Sequence, residues 1–152
     1  MRGDICFYTD NDFGAKIIQW RTRGPYDHVC VDIGNGHVIE AKWPEVSVDI
    51  LGSPSKIFTP LLPSEHVETG MRWLETTVGD KYDLLDIAAN IFSFMLPTTK
   101  IIHAPTAFIC SELTAYYLYY AGYTFPAGFF PDERSMSLVT PNSLARAVGV
   151  LK

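Results

Sequence analysis

Residues 26–42 read YDHVCVDIGNGHVIEAK, two alternating runs joined by Gly34, Asn35 and Gly36. A plain two-residue Asn-Gly turn would place Val29, Val31 and Ile33 on one face with Glu40 and Lys42, mixing apolar and charged side chains. With all three residues in the loop, Val29, Val31, Ile33, His37, Ile39 and Ala41 share one face. His28, Cys30, Asp32, Val38, Glu40 and Lys42 share the other. A slip of one residue reassigns every side chain, so the register that sorts apolar from polar is the expected one. His28 and Glu40 then become diagonal neighbours on one face, about 7–8 Å apart at Cα. A carboxylate bonded to one imidazole nitrogen fixes the tautomer and leaves the other nitrogen to take a proton. A solvated sheet face shows the same pattern, so the hairpin by itself leaves both readings open.

Outward from the hairpin, the first half carries further short β-type runs: DICFY before it, VSVDIL and KIFTPL after it, separated by Gly, Pro and Asn. FGAKIIQWRTRG is too long for a hairpin loop and predicts a helix closing at Gly24-Pro25. The second half is helical in pattern. Ser64 is expected to cap a helix through Val67, Met71, Leu74 and Val78, stopped by Gly79. Further helices are expected over 82–96, ended by Pro97, and over 110–121, ended by Gly122. A last helix runs through Val148 from a Thr140 cap with Pro141 at its first position. Strands first and helices after predict an α+β domain.

At 152 residues and 47% hydrophobic, the chain supports a single domain with a core. The net charge is −5 and the twelve basic residues are scattered, which argues against a nucleic-acid partner. Charges interrupt the first residues, and no run approaches the roughly 20 apolar residues of a span, so a soluble, cytoplasmic protein is expected. Cys6, Cys30 and Cys110 are widely spaced and odd in number, which predicts free thiols.

Residues 106–122, TAFICSELTAYYLYYAG, put Cys110 where an apolar run becomes a helical pattern. A thiol in the first turn of a helix meets the partial positive charge of unpaired N–H groups, and a nearby imidazole adds to it. The same N–H groups can hold an oxyanion. A cysteine before a helix is otherwise a small buried hydrophobe more often than a nucleophile. Its combination with His28 and Glu40 favours the nucleophile.

The blocks GDICFY and RGPYDHVCVDIGNGHVIEA, followed by VGDKYD, FICSELTAYYLYYAG and TPNSL, resemble the NlpC-type branch of the papain-like cysteine hydrolases. The match is to the circularly permuted, YiiX/YaeF-like order, with the strand block ahead of the cysteine block, over roughly residues 3–144. The resemblance implies that Cys110 is the nucleophile, His28 the base and Glu40 the orienting group. It also implies that Tyr82 helps form the oxyanion site and that Ser111 is the supporting serine after the cysteine. Ile109 stands where unpermuted peptidases carry an aspartate associated with a cell-wall peptide's free amine, and Glu112 stands where they carry glycine. The layout is also similar to lecithin:retinol acyltransferase, which implies acyl-chain substrates as well as small peptides, and peripheral lipid contact.

Cys30 shares the His28 face but has no helix N-terminus beside it. A zinc site from Cys6, Cys30, His28 and His37 suits the ligand types, but the favoured register turns His37 away. No metal or cofactor is therefore expected. His66 and His103 lack an evident carboxylate partner. LLDIAANIFSFMLP predicts a buried helix. Phe125, Phe129 and Phe130 line an apolar acyl pocket or pack as core. The expected reaction is cleavage of an amide or ester through a thioester on Cys110. Its alternatives are acyl transfer to an amine or alcohol, and a non-catalytic peptide- or lipid-binding module.

Overall fold

The hairpin forms β2 (His28–Gly34) and β3 (His37–Lys42), with Val31 opposite Ile39 and Asp32 opposite Val38. That is the register expected from side-chain sorting, but the loop is built differently. Gly34 pairs with His37, so the turn itself is only Asn35-Gly36, and the register shifts between Asp32 and Gly34. Asn35 and Gly36 both have positive φ, 56° and 77°, as the two-residue type I′ turn requires. An extra residue in β2 restores the sorted register beyond the turn. The Asp32 carboxylate accepts from the Gly34 N–H at 2.6 Å and closes this bulge.

The computed structural model describes residues 1–82, 107–127, 129 and 139–152. Around the hairpin lie β1 (Ile5–Tyr8), α1 (Phe13–Thr22), β4 (Glu45–Ile50) and β5 (Lys56–Phe58). They are followed by α2 (Ser64–Thr76), β6 (Lys81–Tyr82), β7 (Ala107–Phe108), α3 (Cys110–Tyr120) and α4 (Pro141–Ala147). Among the described residues the sheet has seven strands in the order β5-β1-β2-β3-β4-β6-β7. Neighbours are antiparallel except for the parallel pair β6 and β7. The architecture is α+β.

Strand alternation divides the sheet. Val29, Val31, Ile39 and Ala41 join the main core with Ile5 and Phe7, and there they meet Met71 and Leu74 of α2 and Leu113, Tyr117 and Leu118 of α3. Ile33 is partly buried against that core and His37 is exposed. Cys6, Cys30 and Val38 form a second, smaller cluster with Tyr8 and Leu51. The two long helices pack closely at Gly70, where a Cβ would come within 2.8 Å of Ala121 and 2.9 Å of the Tyr117 ring.

The helix ends follow local chemistry. Asp12 caps α1 by accepting from the Ala15 N–H, and Thr140 and Ser143 form a reciprocal capping box on α4 with Pro141 in its first turn. Two expectations need correcting. Pro63, not Ser64, is the N-cap of α2, with Ser64 its first helical residue, and the helix ends at Thr76, before Val78. Tyr82 closes strand β6 rather than opening a helix. The remainder of 82–96 lies outside the described residues, as do His103 and Phe130. None of the helices among the described residues is long and apolar enough to cross a membrane.

Candidate active site

His28 is the first residue of β2 and sits at the end of the sheet. Glu40, diagonal to it on β3, is almost fully buried, and its Oε2 lies 2.5 Å from His28 Nε2. Its other oxygen, Oε1, is 3.7 Å from Lys42 Nζ. The bond from His28 holds the Glu40 carboxyl below its ordinary range against the opposing effect of burial, and the charges of His28 and Lys42 assist. Because Nε2 is committed to Glu40, Nδ1 is the nitrogen left for a second partner. Cys110 lies in the same cavity wall, close enough to the imidazole for its charge to act on it. Burial acts to lower the His28 pKa, but the charge and hydrogen bond of Cys110, then those of Glu40, outweigh it and raise the pKa to about 10.

Cys110 is the first residue of α3, and the N-cap Ile109 has extended backbone and no side-chain cap bond. The first N–H groups of a helix have no partner within it, so an anion on or near Cys110 Sγ lies at the positive end of the helix. A cavity of about 490 Å³ opens on this point, with His28, Tyr82, Ile109 and Cys110 in its wall. Burial pushes the Tyr82 phenol above its ordinary range, and the charge of Cys110 adds to that, so Tyr82 stays a protonated donor at neutral pH.

Ser111 is fully buried beside the cavity, and its hydroxyl donates to the Val139 carbonyl at 2.6 Å. Its side chain therefore ties α3 to the segment before α4. Of the three phenylalanines, Phe130 lies outside the described residues. Phe125 packs on the core, edge-on to Tyr123 with ring centroids 5.1 Å apart, and neither Phe125 nor Phe129 is in the wall. The apolar wall comes instead from Ala15 and Ile18 of α1, with Pro141 of α4. Asp12, Arg21 and Asp27 add charge to it.

The sequence reading missed this wall and the clamp that holds it. The Asn142 side chain is fully buried; its Oδ1 accepts from the Tyr26 N–H at 2.9 Å and its Nδ2 donates to the Tyr26 carbonyl at 2.7 Å. Nδ2 also reaches the Thr22 hydroxyl. The end of α1, the residues leading into His28, and α4 are thus fixed on one amide. Gly24 is required beside it, because a Cβ there would meet Asn142 Oδ1 at 2.3 Å. Asp27 Oδ1 accepts from the Asp10 N–H at 2.7 Å and from Gln19 Nε2 at 2.9 Å, securing α1 from the other side.

Cys6 and Cys30 face each other across β1 and β2 in the smaller cluster, and all three cysteines are free. His37 is exposed at the hairpin turn and bonds the Asn35 carbonyl, so it does not join them. In comparisons with known proteins, the chain matches no family model and no curated protein.

Proposed function

We propose that the protein is a cysteine hydrolase of circularly permuted papain-like, NlpC-type architecture, cleaving an amide or ester through a thioester on Cys110. One observation carries this reading: Cys110 begins a helix, opens into a cavity, and neighbours an imidazole whose Nε2 is bonded 2.5 Å from a buried carboxylate. The chain order supports the fold assignment, since the hairpin with His28 and Glu40 precedes α3.

In the first step the Cys110 thiol proton resides on His28 Nδ1, and the thiolate attacks the carbonyl carbon, forming a C–S bond. The resulting oxyanion is held by N–H groups at the start of α3 and by the Tyr82 hydroxyl. Collapse breaks the bond to the amine or alkoxide, which leaves with the proton from His28. Water then attacks the thioester, giving its proton back to His28, and the acid departs as Cys110 is regenerated. Glu40 keeps the imidazole oriented and stabilises its cationic form throughout. A cavity of this size and largely apolar wall accommodates an acyl group or a short peptide.

Acid quenching during turnover of a p-nitrophenyl acyl ester should leave the acyl mass on the peptide containing Cys110, removable by neutral hydroxylamine. Turnover with Cys110 never acylated would overturn the reading.

A further inference from the structure

Helix α1 has two apolar sides. Ala15, Ile18 and Thr22 turn toward the cavity and the core. Phe13, Ile17 and Trp20, spaced i, i+4 and i+7, form a second stripe along the solvent side. Phe13 is 81% exposed and Trp20 80%, an unusual degree for residues that gain so much from burial. Lys16 borders the stripe on one side and Arg21 on the other, with Arg23 following at the C-cap, and all three are exposed. No acidic residue lies within Phe13–Thr22.

We propose that α1 docks the protein on an anionic lipid bilayer, with Phe13, Ile17 and Trp20 entering the headgroup region and the Cys110 cavity opening beside them. The residue types fit such a surface. Indole and phenyl rings partition into the boundary between headgroups and acyl chains, and flanking Lys and Arg meet lipid phosphates. The chain carries a net charge of −5, so its other faces are repelled by an anionic surface, and the basic edges of α1 determine which side approaches. The cavity lies on the adjacent side of the same helix, between Gly14, Ile18 and Arg21. Docking therefore brings its wall to the lipid boundary.

The test is flotation of the full chain with vesicles of equimolar phosphatidylcholine and phosphatidylglycerol, read together with tryptophan emission. The wild-type protein should float with these vesicles and shift its emission to the blue. Phe13→Ser with Trp20→Ser should lower partitioning by at least about tenfold, from the loss of two buried aromatic side chains. Lys16→Glu with Arg23→Gln should weaken binding to these vesicles while leaving any binding to pure phosphatidylcholine unchanged. Cys110→Ala should float as the wild type does, which separates docking from the catalytic reading. Circular dichroism should show both double variants folded, because the replaced side chains are exposed. The proposal is overturned if the wild type does not float, or if the aromatic double variant floats equally well. It is also overturned if gel filtration shows a dimer that the aromatic double variant dissociates, since a second copy would then occupy the stripe.

Discussion

Two free thiols neighbour His28: Cys30, two residues along β2, and Cys110, at the start of α3. Cys30 is enclosed by Cys6, Val38, Tyr8 and Leu51. Its hydrogen-bonding contact with Cys6 and its burial push the thiol far above the ordinary cysteine range, even though the Tyr8 hydroxyl 3.8 Å away acts in the other direction. Cys110 stands instead at the positive end of a helix, opens into a cavity and shares its wall with an imidazole bonded to Glu40. Nearness to a histidine is common to both. A path for substrate and a site for negative charge belong to Cys110 alone of the two, and these separate a nucleophile from packing.

The largest expected effect sharpens that contrast directly. Cys110→Ala should reduce kcat/KM by at least about a thousandfold, roughly 4 kcal/mol of transition-state stabilisation. Cys30→Ala should leave kcat/KM within a fewfold while lowering stability by about 1 kcal/mol for the lost buried sulfur. Steady-state kinetics with denaturant melts checks both; equal losses of activity would erase the distinction.

Next in size is Glu40→Gln. Removing the carboxylate charge should lower turnover by roughly tenfold to a hundredfold through weaker orientation of the imidazole. The pH dependence carries the sharper sign. His28 is raised from 6.5 to about 10, so its contribution to stability is fully present below 6.5 and is lost as pH rises through about 10. In the proposed reaction the imidazolium that protonates the leaving group persists over the same range. The alkaline limb of the kcat/KM profile should therefore lie near pH 10 in the wild type and move to lower pH in Glu40→Gln. An unmoved limb would detach Glu40 from the imidazole.

The smallest expected effect concerns what holds the site together. Asn142→Ala leaves the Tyr26 N–H and carbonyl buried without their amide partner, which should cost about 2 kcal/mol and lower Tm by several degrees. Activity should fall with it, because the same amide positions α1 and the approach to His28.

Most of the fold was legible because its signals are local. Short β-type runs found the first five strands, the stops at Gly24-Pro25 and Gly122 bounded α1 and α3, and the Thr140-Pro141 cap found α4. The hairpin shows where two local signals conflict. Asn35-Gly36 asks for a two-residue turn and the side-chain pattern asks for three, and a bulge before Gly34 satisfies both. Strands β6 and β7 have two residues each, too few for any period, so Tyr82 was assigned to a helix. At the candidate site, the register alone brought Glu40 to His28. The cavity wall was not legible, since which side of α1 meets the site depends on Asn142, which bonds Thr22 and Tyr26 from more than a hundred residues away. For Phe125 the sequence left pocket lining and core both open, because an apolar loop residue fills whichever hollow tertiary packing offers it, here against Tyr123.

The Asn142 clamp also has a consequence in time. Tyr26 and Asn142 are 116 residues apart, whereas the hairpin carrying His28 and Glu40 closes over a separation of 12. Short loops close at lower entropic cost than long ones, so the His28–Glu40 pair is expected to form early and the clamp late. As the chain emerges from the ribosome, the hairpin is complete well before Cys110 is added, and Cys110 in turn precedes the amide that steadies α1. The candidate site is thus completed last, after the His28–Glu40 pair and Cys110 already exist apart.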